Sequence, residues 1–110
     1  MSEENTLVRL AALIRSRRSD TSAKSYTSQL LTAGTERCAK KFGEEAVELI
    51  IAAMASDDKP VKAEAADVLY HLLVLLESRQ IPFDDVLKVL DGRMGTSGLD
   101  EKAARPKDQS

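Results

Sequence analysis

The sequence predicts an all-α protein. Apolar residues recur at helical spacing in four long segments, and no segment of useful length alternates apolar and polar residues as a strand does. The chain has 110 residues, of which 43% are hydrophobic and none is Trp, a size that fits one domain. We therefore predict a bundle of four main helices within residues 1–93. The Gly-, Pro- and polar-rich residues 94–110 are predicted to form a flexible tail that contributes to the site.

The N-terminal third of the chain predicts one long helix and one short one. Leu7, Leu10 and Ile14 form an apolar stripe in a helix expected over residues 6–18. A Ser- and Thr-rich loop should follow, since such clusters favour irregular structure. A short helix is then expected from Tyr26 to about residue 31, and Gly34 should end it.

Three further helices follow from the same periodicity. We expect the second main helix over residues 36–55 and the third over residues 61–78. Between them lies an Asp-rich turn that includes Pro60, a residue suited to a first helical turn. The fourth main helix is expected to begin after Pro82 and to end near Gly92.

The third main helix is unusually apolar. Residues 68–76 are apolar almost all round the helix, and such a helix must be buried on several sides. One antiparallel neighbour cannot bury all of it. We therefore predict that a homodimer completes the core.

Composition excludes several classes of protein. The formal net charge of −2 argues against a general nucleic-acid-binding protein. No apolar run is long enough to cross a bilayer, and no secretory signal pattern is present. Cys38 is the single cysteine, and we interpret it as a small buried residue of a protein in a reducing compartment. The expected location is the cytoplasm.

Acidic residues are concentrated in the second and third main helices. At about 100° per residue, Glu45 and Glu48 fall about 60° apart on one helix face. Glu64 and Asp67 repeat this spacing on the next helix. Like charges so close cost roughly 0.2–0.5 kcal/mol per pair in an isolated helix, so a compensating partner is expected.

The turn between the two helices predicts where these carboxylates meet. It makes the helices antiparallel neighbours, and equal rise on both arms brings the two acid pairs to similar height. Mg²⁺ prefers hard oxygen ligands together with substrate phosphate. From spacing alone, a divalent metal site and a solvated acidic face remain the two alternatives.

The acid pattern resembles a known superfamily. Glu45-x-x-Glu48 followed by Glu64-x-x-Asp67 is similar to the metal motif of the all-α NTP pyrophosphatase superfamily. Within it, four segments resemble the phosphoribosyl-ATP pyrophosphohydrolase family: Ser25-Tyr26-Thr27, Lys40-Lys41-Phe42-Gly43-Glu44-Glu45, Tyr70-His71-Leu72 and Arg93-x-Gly95-x-Ser97-Gly98.

This resemblance implies a fold, a reaction and a set of roles. The fold is that of the all-α NTP pyrophosphatases, and the reaction is hydrolysis of phosphoribosyl-ATP between its α and β phosphates. The products are phosphoribosyl-AMP and pyrophosphate, in the second step of histidine biosynthesis. It also implies Mg²⁺, or Mn²⁺ in its place, held by Glu45, Glu48, Glu64 and Asp67. Glu44 and Glu45 are the catalytic candidates; Glu44 either completes the metal shell or takes a proton from water.

Further residues are candidates for binding the substrate, each with a structural alternative. Lys41 lies one turn before Glu45 on its face and is the strongest candidate for a phosphate contact, whereas solvated surface charge is the better interpretation of Lys24. Tyr26 and Tyr70 could contact the nucleotide, and His71 could bind phosphate or be a core histidine. The tail residues Arg93 and Lys102 complete the predicted set.

Two rival functions remain at the level of sequence. A MazG-type nucleoside triphosphate pyrophosphohydrolase would share the fold and the metal but not the loop and tail segments. A non-catalytic helical dimer that acts as a scaffold would bind no divalent metal.

Overall fold

The structure, a computed structural model, describes residues 5–20, 25–55 and 57–95. These residues form five α-helices: α1 (Thr6–Ser16), α2 (Tyr26–Ala33), α3 (Thr35–Ala53), α4 (Asp58–Ser78) and α5 (Phe83–Met94). A 3-10 turn, Arg17–Ser19, follows α1. No strand occurs in the described ranges, so the all-α prediction is confirmed. The tail prediction falls almost entirely on residues 96–110, outside the described residues.

Local chemistry explains where several helices begin and end. The Asn5 side chain accepts a hydrogen bond from the amide of Leu7 (2.7 Å) and so caps α1. The Ser25 side chain caps α2 through the amide of Ser28 (3.0 Å). Gly34 separates α2 from α3 with a φ of 102°, a conformation that costs glycine little because it has no Cβ.

The helix boundaries differ from the predicted ones by small amounts. α4 begins three residues earlier than expected, so that Pro60 lies within its first turn, where its missing N–H costs no helical hydrogen bond. α5 continues past Gly92 to Met94. The short helix predicted from Tyr26 is an α-helix of 8 residues, so the described residues form five α-helices where the sequence predicts four main helices and a short one.

The core lies around α4. Its buried apolar residues come from four helices: Ile14 of α1, Leu30 of α2, Cys38 of α3, and Leu73 and Val74 of α4. Helix α4 has α1, α2, α3 and α5 as neighbours, and its largest interface is with α3. The acidic segments lie in α3 and α4, which form a hairpin. Helices α1 and α2 pack on the other side of α4.

This central position changes the explanation of the apolar α4. Leu73 and Val74 are 3% and 0% exposed within one subunit, so four neighbouring helices cover residues that a single hairpin partner could not. Leu69 is the one large apolar side chain of this run that remains exposed. The premise that α4 needs a second subunit is therefore wrong for most of the helix. The homodimer itself remains a prediction.

Candidate metal and nucleotide site

Three of the predicted ligands converge between α3 and α4. Glu45, Glu48 and Glu64 each offer one carboxylate oxygen, and these oxygens all lie within 4.8 Å of one another. We call these three residues the acidic trio. The helical spacing of Glu45 and Glu48 puts both on the side of α3 that meets α4. The trio thus forms where the antiparallel geometry predicts it.

Glu64 is the most constrained member of the trio. Its Oε1 is buried and has no hydrogen-bond partner in the described part of the chain. Burial, then the charges of Glu48 and Asp67, raises the pKa of Glu64 above its usual range. A buried, unpaired carboxylate oxygen is costly, and a cation among these oxygens would remove that cost. Hard carboxylate donors at this spacing fit Mg²⁺ or Mn²⁺.

The fourth predicted ligand, Asp67, lies one turn further along α4. It is exposed and is not part of the trio, yet its charge acts on both Glu64 and His71. Its predicted role as a ligand is therefore compatible with its position and stays a prediction.

Glu44 and Lys41 form a pair beside the trio. Lys41 Nζ lies 3.6 Å from Glu44 Oε1, one turn along α3. The Glu44 side chain is about half exposed and the Lys41 side chain about one quarter exposed. The structure thus pairs Lys41 with Glu44, and the expected role of Lys41 as a phosphate contact on the face of Glu45 stays a prediction.

His71 is buried at the inner edge of the same region. It is 6% exposed, and its Nδ1 has no hydrogen-bond partner among the described residues. Burial lowers the pKa of His71; the charge of Lys41 also lowers it, whereas those of Glu45 and Asp67 raise it. A neutral imidazole with an unused polar atom can donate to or accept from a ligand.

Two tyrosines adjoin this histidine. The rings of Tyr26 and Tyr70 are nearly parallel, with centroids 6.5 Å apart and an interplanar angle of 20°. His71 meets both rings edge-on, at 6.2 Å from Tyr26 and 4.9 Å from Tyr70. The Tyr70 hydroxyl hydrogen-bonds to Thr27 Oγ1, and burial raises the pKa of Tyr70. These contacts link α2 to the acid-bearing stretch of α4.

The remaining predicted residues are less informative. Arg93 lies exposed in the last turn of α5. Lys24 and Lys102 lie outside the described residues.

A pocket that sequence reasoning missed opens on the far side of the tyrosines. It has a volume of about 450 Å³ and includes Arg17, Asp20, Tyr26, Thr27 and Tyr70 in its lining. Arg17 comes from the turn after α1, whose residues carry no motif. Because the pocket forms only where α1, α2 and α4 meet, its signal lies in tertiary packing and not in local sequence.

Comparison with known proteins identifies the family. The family model described as phosphoribosyl-ATP pyrophosphohydrolase matches residues 7–94. A protein of Rhodobacter capsulatus named phosphoribosyl-ATP pyrophosphatase is 54% identical over 99 residues, which cover 90% of this chain and 96% of that protein. Proteins of the same name from Rhizorhabdus wittichii and a Ruegeria species are 54% and 53% identical, over 93% and 89% of this chain and 96% and 93% of theirs. The chain therefore belongs to the phosphoribosyl-ATP pyrophosphohydrolase family.

Proposed function

We propose that this protein hydrolyses phosphoribosyl-ATP between its α and β phosphates and releases phosphoribosyl-AMP and pyrophosphate, the second step of histidine biosynthesis. The observation that carries the proposal is the acidic trio, whose carboxylate oxygens lie within 4.8 Å of one another, in a chain with full-length relatives named for this activity. A divalent cation held by this trio would let a protein of net charge −2 bind a polyphosphate.

The residues fit a divalent cation. Glu45, Glu48 and Glu64 would hold Mg²⁺ or Mn²⁺, with Asp67 completing the set from one turn along α4. When bound, the ion supplies the positive charge that screens the phosphate oxygens and favours attack by water. The buried, unpaired Oε1 of Glu64 supports this assignment, because nothing else described in the chain satisfies it.

The surrounding side chains have separate tasks. Lys41 lies beside the trio and is assigned to the phosphate oxygens. His71, neutral and buried, orients the phosphate end through its unused ring nitrogen. Glu44 is about half exposed and pairs with Lys41, and we assign it to taking a proton from the attacking water.

The nucleoside part is assigned to the aromatic side of the site. Tyr26 is 49% exposed, which leaves its ring available for stacking on a base. Tyr70 is half-buried and tied to Thr27, so it holds the position of Tyr26 and His71. The tail residue Lys102, together with Lys24 and Arg93, completes the proposed set of basic contacts.

We also propose that the enzyme is a homodimer, formed through α3. Val47, Ile50, Ile51 and Met54 recur at intervals of three and four residues along this helix and are 54%, 62%, 65% and 84% exposed. A contiguous apolar stripe of this kind is typical of a protein–protein interface.

Within the described ranges, no helix is long and apolar enough to cross a membrane. The buried free thiol of Cys38 supports a cytoplasmic location.

A substrate panel tests the proposed reaction against its two rivals. With Mg²⁺, purified protein should release pyrophosphate from phosphoribosyl-ATP far faster than from free nucleoside triphosphates, and a chelator should abolish the release. Preference for free triphosphates would favour a MazG-type enzyme. No hydrolysis of any substrate, together with no heat of Mg²⁺ binding, would favour the scaffold.

A further inference from the structure

The pocket lined by Tyr26 and Tyr70 has room for more than the base already assigned to Tyr26. Its volume of about 450 Å³ lies within the roughly 300–1,000 Å³ typical of small-molecule sites. Its walls combine aromatic rings with polar and charged side chains.

Hydrogen bonds fix the rim of the pocket. The amide of Ser28 donates to Ser25 Oγ (3.0 Å), while Ser28 Oγ donates to the carbonyl of Asp20 (2.6 Å). The amide of Asp20 donates to the carbonyl of Arg17 (3.1 Å). Buried Ser28 thus ties the turn after α1 to the start of α2, so Arg17 is held in the same pocket as the tyrosines.

One side chain, His71, interacts both with acidic residues of the metal site and with the two tyrosines of the pocket. Glu45 and Asp67 act electrostatically on His71 from the metal side, and the His71 ring contacts Tyr26 and Tyr70 from the other. Glu64 and Tyr70 lie six positions apart on α4, which separates them by about 9 Å along the helix axis and about 120° around it. A ligand with its anhydride at the trio would therefore pass His71 to place its base at Tyr26 and extend further into the pocket.

The positive charge of Arg17 indicates which chemical group the far end of that ligand carries. Arg17 Nη1 lies 3.6 Å from Asp20 Oδ2, and the Arg17 side chain is 44% exposed. An ion pair this long and this exposed contributes little, so a more strongly charged group can compete for the guanidinium. Arginine pairs well with phosphate because its planar fork makes two parallel hydrogen bonds.

We propose that this pocket binds the phosphoribosyl arm of the substrate, with Tyr26 against the adenine and Arg17 on the terminal phosphate monoester. This inference rests on the proposed function, since only a nucleotide with a second phosphorylated ribose fills both ends. Arg17 is then a specificity residue: it distinguishes phosphoribosyl-ATP from ATP, which lacks the arm.

Equilibrium binding tests the assignment without requiring hydrolysis. Calorimetry compares phosphoribosyl-AMP with AMP for the wild type, Arg17→Gln, Tyr26→Leu and the control Arg9→Gln, an exposed arginine of α1. The wild type should bind phosphoribosyl-AMP more tightly than AMP. Arg17→Gln should weaken phosphoribosyl-AMP binding about tenfold, as expected for one partly exposed charged hydrogen-bonding group, and leave AMP binding within about twofold.

The other variants separate the base from the arm. Tyr26→Leu should weaken both ligands to a similar degree because both contain adenine, and Arg9→Gln should change neither. Equal effects of Arg17→Gln on both ligands, no effect on either, or a wild type that does not prefer phosphoribosyl-AMP would overturn the inference. Failure of the proposed function is seen separately, as a wild type that binds phosphoribosyl-AMP selectively but does not hydrolyse phosphoribosyl-ATP.

Discussion

The two helices that carry the acidic trio bury their apolar residues in different ways. Helix α4 is central, and Leu73 and Val74 are almost fully buried in it. Helix α3 is peripheral, with Cys38 as its single buried residue and a row of large apolar side chains in solvent. The number of apolar residues in a helix therefore does not tell which helix has uncovered apolar surface; the number of neighbouring helices does.

The largest expected effect is a loss of stability when a core residue of α4 is truncated. Leu73→Ala should lower the free energy of unfolding by about 2–5 kcal/mol, because it leaves a cavity among residues of four helices. Urea denaturation followed by circular dichroism measures this change. An unchanged midpoint would mean that Leu73 does not pack within the subunit as described.

A charge on the outer face of α3 should separate assembly from folding. Ile51→Glu places a carboxylate at a side chain that is 65% exposed in the single subunit, so the fold should persist. The proposed dimer should dissociate, since burying an unpaired charge in an interface is strongly unfavourable. Sedimentation should then show a monomer.

The matched control for this variant is Val89→Glu on α5, a residue that is 53% exposed. It should leave the assembly unchanged. Dissociation by Val89→Glu but not by Ile51→Glu would assign the interface to α5, and a monomeric wild type would remove it altogether.

Cys38 offers a chemical test of the inner face of α3. Burial raises the pKa of this thiol above its usual 9.0, and Sγ donates to the carbonyl of Leu30 (3.3 Å). The folded protein should therefore react with iodoacetamide more than about 100-fold more slowly than the unfolded chain, because the thiolate is the nucleophile and access requires opening.

The raised pKa of Cys38 also determines the direction in which the free energy of unfolding changes with pH. With its pKa raised in the folded state, Cys38 contributes stability that is fully present below pH 9.0 and is lost as pH rises through the folded pKa. Cys38→Ala should make the fall in the free energy of unfolding above pH 9.0 less steep. Fast alkylation of the native protein, or an identical pH profile in the variant, would contradict a buried Cys38.

The smallest expected effect is a gain in stability from a substitution at Gly43. Gly43 lies inside α3, and apart from its chain neighbours and the surrounding helix backbone a Cβ added there would have no described protein atom within 4 Å. Gly43→Ala should raise the free energy of unfolding by about 0.5–1 kcal/mol through the higher helix propensity of alanine. A loss of stability in thermal melting would mean that another surface covers this part of α3.

The sequence predicted the parts of the site that depend on local spacing. Glu45 and Glu48 share a helix face because of the helical period, and Glu64 meets them because a short turn makes α3 and α4 antiparallel. These relations hold within one hairpin, so no knowledge of the rest of the fold is needed.

The parts that escaped prediction depend on how distant segments pack. The cover over α4 comes from α1, α2 and α5 as well as α3, so the apolar sequence of α4 does not by itself require a second subunit. Arg17 reaches the pocket only because the turn after α1 is tied to α2 through Ser28. No periodicity or motif marks either relation.

The most direct test of the account is whether the acidic trio binds the metal that hydrolysis needs. Glu48→Gln and the surface control Glu36→Gln are compared with the wild type by pyrophosphate release and by thermal melting with and without Mg²⁺. Glu48→Gln should abolish release and shrink the Mg²⁺-induced rise in Tm, because a ligand stabilises only the state that binds it. Its metal-free Tm should stay equal or rise, since one of several repelling charges is gone, and Glu36→Gln should behave as the wild type. Full pyrophosphate release and an undiminished Mg²⁺ shift in Glu48→Gln would show instead that the trio is a solvated acidic face.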